Sequence, residues 1–309
     1  MELDEYQRRA RETDQNPKLG DSAEASRIAQ NCDVIPLLGL VGEVGALLGE
    51  YKKLLRDGAT YRRFGDEVAE ELGDILWYVA NVASKFKLSL NEIAAQNLSK
   101  VEDRWCIATD ARRLYDELLP KNQQLPRRFE YSFENRFIDG VAKVVMVDCL
   151  NGDSIETTGD PLTDNAYEDD GYRFHDVLHL AFAACLGWSP VLRKLLRNKK
   201  KLDHRTPQEV DEVEDGGRAR VVEEGIAFAG YVYAADHDHL AGVGAIDWQL
   251  LRHIKQMTSR LEVRNRTAKE WNDVLLRGFA VWRMLRECGG GTVRGDLAAG
   301  IIEFIPPSR

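Results

Sequence analysis

Four carboxylates in the first quarter of the chain have a spacing that could support metal chemistry. Glu43 and Glu50 lie seven residues apart, about two helical turns, and Glu71 and Asp74 stand at positions i and i+3 of a second pattern. Two carboxylates about 5 Å apart repel by roughly 3 kcal/mol at an effective dielectric constant near 20. Four converging carboxylates would need a positive counter-charge. A site that offers only oxygen ligands suits Mg²⁺ or Mn²⁺. A solvated acidic face without an ion is the alternative, and spacing leaves both open.

Apolar residues at helical spacing predict the two helices that carry these acids. The stripe of the first helix consists of Leu37, Val41, Val44, Leu47, Leu48, Tyr51, Leu54 and Leu55. The stripe of the second consists of Val68, Leu72, Ile75, Leu76, Val79, Val82, Ala83 and Phe86. Because burying an unpaired charge is unfavourable, acids at the edge of a core-facing stripe are informative. We predict that both stripes are buried and that the carboxylates flank them.

Composition excludes several classes of protein. The net charge of −9 disfavours general nucleic-acid binding. The five cysteines are scattered without a CxxC pair, which fits a reducing cytosol and predicts neither disulfides nor a thiolate zinc site. The charged start MELDEYQRRARE predicts no signal peptide, and no apolar run approaches the roughly 18 residues that cross a membrane. We therefore predict a cytoplasmic protein with no membrane partner.

The pattern along the chain predicts a mainly α protein with two domains. At 309 residues the chain can hold two cores, and a polar segment with two prolines at 119–128 is the predicted linker. Beyond it, alternating aromatics at 129–133 and a β-rich run at 141–147 predict a hairpin or small sheet. Residues 151–170 are predicted to form a long acidic loop. We predict a helical bundle at 1–120 and a mostly helical domain with a small hairpin or sheet at 121–309.

A second group of residues with metal-like spacing lies in the C-terminal part. His175 and His179 are one helical turn apart, which suits a shared ion, and Asp176 lies between them. Glu223 and Glu224 are candidate carboxylate partners from another helix. The glutamate of an HExxH motif is absent. A buried network that pairs each imidazole with a carboxylate is the alternative, and the sequence leaves both open.

The N-terminal motif resembles a known enzyme family. GEVG at 42–45, a spacer of about two dozen residues, and EELGDILWY at 70–78 resemble the MazG-type all-α nucleoside triphosphate pyrophosphohydrolases. Their metal motif is ExxE, a spacer and ExxD, and Glu43, Glu71 and Asp74 match it. Ala46 stands where the second glutamate is expected, and we take Glu50, one turn on, as its substitute. The resemblance covers about residues 1–110, and 121–309 loosely look like the C-terminal extension of longer members.

The resemblance implies a fold, a reaction and a site. The fold is an N-terminal MazG-like bundle, and the reaction is Mg²⁺-dependent hydrolysis of a nucleoside triphosphate to the monophosphate and pyrophosphate. Glu43, Glu71 and Asp74 would be the catalytic ligands, with one of the glutamates as an alternative acceptor of the water proton. Such a bundle completes its site with a second subunit, so a homodimer or higher oligomer is implied. GxxxxGK[ST] is absent, so a Walker-type ATPase is excluded.

Three further residues are candidates for nucleotide binding. The family holds the nucleotide with an asparagine and a lysine in an N-L-x-K segment, and the resemblance implies this role for Asn97 and Lys100. We also expect Asn97 to lie within a buried stripe. Lys53 could contact phosphates, or could simply be placed favourably near the end of its helix.

Two other function classes stay open. Ala46 favours a regulatory module that binds nucleotide without turnover. In a third interpretation the main activity resides in 121–309 and the bundle serves as a scaffold. The sequence leaves open the preferred base or sugar, and whether the role is nucleotide-pool cleaning or a stress or defence response.

Overall fold

The protein is described by a computed structural model that covers residues 1–14, 34–107, 114–150, 157–196 and 217–307. It divides into two compact units, Met1–Val101 and Glu102–Arg309. Within these described ranges, no helix is long and apolar enough to span a bilayer. Whether 1–120 and 121–309 fold as separate domains stays a prediction. The sequence at 21–30 allows a short helix capped by Asp21 or Ser22, and a basic cluster lies at 193–205. Residues 21–30 and the end of the basic cluster lie outside the described residues.

The described part of unit 1 is mainly helical. Its α-helices are α1 (Leu3–Glu12), α2 (Ile35–Asp57), α3 (Phe64–Lys85) and α4 (Leu90–Trp105). Both α1 and α2 pack against α3. The amide of Gln7 ties α1 to the α3–α4 connection, because its Nε2 donates to Ser84 Oγ (3.1 Å) and Leu88 O (2.9 Å). Its Oε1 accepts from the Leu90 backbone N at 2.8 Å, which satisfies a donor in the first turn of α4.

The predicted buried stripe of α2 is wrong in part, because much of it lies on an exposed side of the helix. We call this side the outer stripe, and its members are Val34, Leu37, Val41, Val44, Leu48, Tyr51 and Leu55. Their exposed fractions run from 40 % at Leu37 to 86 % at Leu55. The opposite side, with Pro36, Glu43 and Glu50, is buried or half-buried. A Cβ at Gly39 would overlap the Tyr78 ring, so this glycine permits the close approach of α3.

The apolar stripe of α4 is also largely exposed, contrary to the prediction. Leu98, Val101 and Trp105 are exposed large side chains, and Asn97 is exposed with them. The buried cluster of unit 1 is correspondingly small and centres on Ala10, Ala80 and Leu90. The predicted buried stripe of α3 is also wrong in part, because Leu72, Leu76 and Phe86 are exposed. The helices of unit 1 therefore carry apolar side chains that its own described residues do not cover.

Unit 2 contains a five-stranded antiparallel sheet with the order β3-β2-β1-β4-β5. The strands are β1 (Arg128–Ile138), β2 (Val141–Asp148), β3 (Thr157–Leu162), β4 (Gly291–Asp296) and β5 (Ile301–Ile305). The predicted hairpin is confirmed as β1–β2. Its two-residue turn is Asp139-Gly140, with φ of 53° and 77°, as the twist of a tight hairpin requires. The predicted acidic loop at 151–170 is wrong in part, because β3 lies inside it.

Helices form the main core together with this sheet. They are α5 (Asp176–Leu186), α6 (Pro190–Leu195), α7 (Gly217–Ala235), α8 (Trp248–Thr258) and α9 (Ala268–Cys288). Helices α5 and α9 pack closely, and a Cβ on Gly278 of α9 would lie 2.9 Å from Leu178. The predicted linker at 119–128 is wrong as a linker, because Leu125 is only 1 % exposed and belongs to this core.

Candidate metal and nucleotide site

Three of the four predicted carboxylates come together between α2 and α3. Glu43, Glu71 and Asp74 each offer an oxygen, and these atoms lie within 4.8 Å of one another. Glu43 lies on the inner side of α2, and Glu71 and Asp74 share one face of α3 at i and i+3. Glu43 and Glu71 are half-buried, whereas Asp74 is exposed. The arrangement is open to solvent on the side of Asp74.

The charges of this cluster suit a divalent cation. Burial raises the pKa of Glu71, and the nearby charges of Glu43 and Asp74 raise it further. Carboxylates that destabilise one another in this way gain from a shared cation. The donor set contains only oxygen, which is the preference of Mg²⁺ and Mn²⁺. The residues present therefore fit such an ion.

The structure does not bring Glu50 into this cluster, contrary to its predicted role as a substitute ligand. Glu50 is 4 % exposed, and its Oε1 accepts from Lys53 Nζ at 2.5 Å. The Tyr61 hydroxyl donates to its Oε2. These two hydrogen bonds, that of Lys53 first, lower the pKa of Glu50. Both oxygens are thus engaged on the inner side of α2, and Lys53 is engaged with Glu50.

The second predicted group also forms, in unit 2. His175, Asp176 and His179 offer ligand atoms within 4.8 Å of one another. His179 is fully buried, and its Nδ1 lies 2.8 Å from Oε1 of Glu223. Burial lowers the pKa of His179, but the carboxylates of Glu223 and Glu224 outweigh that effect and raise the pKa to about 10. The buried histidine–carboxylate network is therefore present, together with the metal-like grouping.

Glu223 is the anchor of that network. Its Oε1 also accepts from Ser189 Oγ at 2.6 Å, and its Oε2 accepts from the Val191 backbone N at 2.7 Å. These two groups and His179 Nδ1 occupy the oxygens of Glu223. Glu223 therefore contacts the Nδ1 side of the imidazole ring. The sequence grouped Glu223 and Glu224 as candidate carboxylate partners of the histidines. In the structure Glu223 is buried beside Nδ1 of His179, whereas Glu224 lies near Nε2 and is partly exposed.

Comparisons with known proteins agree with the motif and extend it over the rest of the chain. The MazG nucleotide pyrophosphohydrolase domain matches residues 37–106, and the MazG C-terminal domain matches 110–308. The chain belongs to the MazG family. The Gene 37 protein of Mycobacterium phage L5 is 35 % identical over 111 residues, which are 34 % of this chain and 89 % of that protein. No solved structure matches the chain.

The MazG domain of this protein includes α2, α3 and α4, and so all of the predicted N-terminal site residues. On α4, Asn97 and Lys100 are both exposed. The expectation that Asn97 is buried is therefore wrong, while its role in nucleotide binding stays a prediction. Tyr61, which holds Glu50, was not foreseen, because no spacing rule connects a residue after the Asp57-Gly58 turn with the middle of α2.

The Glu50 network yields a prediction that separates structure from metal binding in this MazG protein. We expect Glu50→Gln to lower Tm while leaving Mg²⁺ affinity unchanged, because the amide loses the charge that pairs with Lys53 and accepts from Tyr61. The folded-state pKa of Glu50 lies below its ordinary value of 4.5, so its contribution is present above that pH and is lost as pH falls through the folded value. The difference in Tm between wild type and variant should shrink on acidification below 4.5.

Thermal unfolding at pH 7 and pH 4, with Mg²⁺ titrations at neutral pH, checks this expectation. Glu70→Gln is the matched control, because Glu70 is an exposed glutamate of the same unit outside the network. A loss of Mg²⁺ affinity in Glu50→Gln as large as that in Glu71→Gln would restore Glu50 to the ligand set.

Proposed function

We propose that this protein is a Mg²⁺-dependent nucleoside triphosphate pyrophosphohydrolase, which converts a triphosphate and water to the monophosphate and pyrophosphate. The observation that carries the proposal is the convergence of Glu43, Glu71 and Asp74 between α2 and α3. The match of residues 37–106 to the nucleotide pyrophosphohydrolase domain supports the same reaction. Mn²⁺ is the natural substitute for Mg²⁺ with this donor set.

Each of the three carboxylates has a role in the proposed reaction. All three would hold the cation, which supplies a polarised water and stabilises charge on the phosphate oxygens. One of the two glutamates, Glu43 or Glu71, is the alternative acceptor of the water proton. Asp74 is the exposed member and faces the side from which substrate arrives.

We further propose that the active form is a homodimer or higher oligomer in which a second copy covers the outer stripe of α2. Its members alternate three and four residues apart from Val34 to Leu55, which is the a/d spacing of helices that pack side by side. Every member is at least 40 % exposed. A long apolar stripe that the described residues of its own unit leave exposed is typical of a surface that a partner covers. The family resemblance favours a second copy as that partner.

A measurement of pyrophosphate release distinguishes an enzyme from a regulatory module that binds nucleotide without turnover. We expect the purified full chain to release one pyrophosphate for each nucleoside monophosphate in the presence of Mg²⁺, and to stop when the ion is chelated. A panel of ordinary and damaged triphosphates would identify the preferred base and sugar. Tight nucleotide binding without pyrophosphate release, at any Mg²⁺ concentration, would favour the non-catalytic module.

Asn97 offers a test of nucleotide contact. We expect Asn97→Ala to raise KM by about 10-fold, as loss of one good hydrogen bond of about 1.4 kcal/mol would, and to leave Tm unchanged because the side chain is exposed. Steady-state kinetics and thermal unfolding measure the two quantities. Gln96→Ala, a change at the preceding exposed position of α4, is the control. Equal KM values in wild type and Asn97→Ala would remove Asn97 from the substrate site.

A further inference from the structure

Both histidines of the unit 2 cluster are oriented in the same way, by a hydrogen bond between Nδ1 and an oxygen atom. The Nδ1 of His175 lies 2.9 Å from the backbone carbonyl of Tyr172, and its ring stacks on the Tyr172 ring with centroids 4.3 Å apart. The Nδ1 of His179 lies 2.8 Å from Glu223. Since a carbonyl or carboxylate oxygen can only accept, each Nδ1 carries the proton and donates it. Each ring is thereby fixed in orientation.

Because each Nδ1 is engaged in this way, Nε2 is the ring nitrogen that each histidine leaves for another ligand. The Nε2 of His175 lies 3.5 Å from Oδ1 of Asp176. The Nε2 of His179 is completely buried, and within the described residues it makes no hydrogen bond of acceptable geometry, although Oε2 of Glu224 lies 3.3 Å away. A buried nitrogen without a hydrogen bond is unfavourable, and it needs an explanation. A metal ligand is one, because a cation bound at Nε2 would take the place of the ring proton there and would be neutralised by the nearby carboxylates of Asp176 and Glu224.

We propose that His175, Asp176 and His179 bind a first-row transition-metal cation, with Glu224 as a fourth, solvent-facing ligand. The three grouped side chains already have their ligand atoms within 4.8 Å of one another. Metal-binding histidines characteristically donate their other ring N–H to a carboxylate or a backbone carbonyl, as both do here. Glu223 is then a positioning residue that fixes the orientation of His179. The Glu224 side chain is 48 % exposed, so an ion can enter from solvent.

The donor set separates this centre from the carboxylate cluster of unit 1. Two imidazole nitrogens and one or two carboxylate oxygens suit Zn²⁺, Co²⁺ or Fe²⁺, whereas Mg²⁺ prefers oxygen ligands. The two centres should therefore be selective for different ions. Zn²⁺ in the presence of excess Mg²⁺ should report on the histidine cluster. This centre is independent of the pyrophosphohydrolase proposal, since none of its residues belongs to the MazG domain at 37–106.

Equilibrium dialysis of the metal-free full chain against Zn²⁺, with millimolar Mg²⁺ present throughout, tests the proposal. We expect one tightly bound Zn²⁺ per wild-type chain. Removal of a residue that only positions a ligand weakens metal binding by about 10–100-fold, so loss of a ligand in His175→Ala should cost at least that much. Asp176→Asn should also weaken binding, and it keeps the side-chain volume in case His175→Ala folds poorly. Bound Co²⁺ should show visible absorption that both variants lose.

His237→Ala is the matched control. His237 has the same local arrangement as His175, since its Nδ1 lies 2.7 Å from the Tyr233 carbonyl and its ring stacks on Tyr233. It belongs to neither metal-like group among the described residues. Full Zn²⁺ binding by His237→Ala, with weakened binding by the other two variants, supports the proposal. No bound Zn²⁺ in the wild type, or equal binding by wild type, His175→Ala and Asp176→Asn, would overturn it.

Discussion

Asp74→Asn is expected to lower kcat for pyrophosphate release by at least about 100-fold. The amide keeps the shape of the side chain but removes the negative charge that a divalent cation requires. Residues that only orient metal ligands cost about 10–100-fold when they are changed, so a ligand should lie at or beyond the upper end of that range. Because Asp74 is exposed, the fold should tolerate the change. Glu71→Gln should reduce activity to a similar extent.

The stability of the metal-free variants distinguishes a lost ligand from a damaged fold. Burial, together with the charges of Glu43 and Asp74, raises the pKa of Glu71, which means that its charge is unfavourable in the folded protein. Its neutral analogue Glu71→Gln should therefore unfold at the same or a higher temperature than wild type when all metal is chelated. Glu70→Gln, next to it on α3, should match wild type in activity.

The same variants test where the activity resides. If a well-folded Asp74→Asn protein kept most of the wild-type pyrophosphate release, Asp74 would have no part in the reaction. Retention of activity in Asp74→Asn and Glu71→Gln together would favour a main activity in 121–309. Loss in both, with wild-type rates in Glu70→Gln, would assign the reaction to the carboxylate cluster.

The spacing of the acids predicted the cluster well, but it could not predict which side of α2 would be buried. Helical periodicity identifies apolar residues on one face. Helix α2 is apolar on two sides, with Leu40 and Leu47 opposite the outer stripe, so periodicity alone could not choose between them. The packing of α3 determines which side of α2 is buried, because the Tyr78 ring of α3 lies against Gly39. Glu43 was therefore predicted at the edge of the core, although it lies on the side that packs against α3.

Residues that are adjacent in a helix can have different roles, because their side chains point in different directions. Glu223 and Glu224 were grouped as candidate ligands, yet successive side chains on a helix diverge by about 100°. Glu223 turns inward to His179 and Ser189, and Glu224 remains half-exposed. The contacts of Glu50 were missed for a similar reason, because its partner Tyr61 comes from beyond the end of α2. Such long-range hydrogen bonds leave no periodic signal.

Leu48→Glu is expected to dissociate the oligomer and, with it, to lower activity. Leu48 lies in the middle of the outer stripe and is 64 % exposed in the single chain. Burying one leucine contributes about 2 kcal/mol, and an isologous interface counts each substitution twice. A glutamate at this place would also bury unpaired charge, which costs several kcal/mol more. Light scattering should show the monomer mass, and pyrophosphate release should fall because the site lacks its second subunit.

Ile35→Glu provides the control for this change. Ile35 is a half-exposed apolar residue at the start of the same helix, and it lies outside the three-and-four spacing of the outer stripe. The added charge is the same in both variants, so a general effect of charge on α2 would appear in both. We expect Ile35→Glu to keep the wild-type mass and rate. An unchanged mass in Leu48→Glu, or a monomeric wild type that is fully active, would show that the outer stripe is not the interface, because a stripe buried between two copies could not accept a central glutamate.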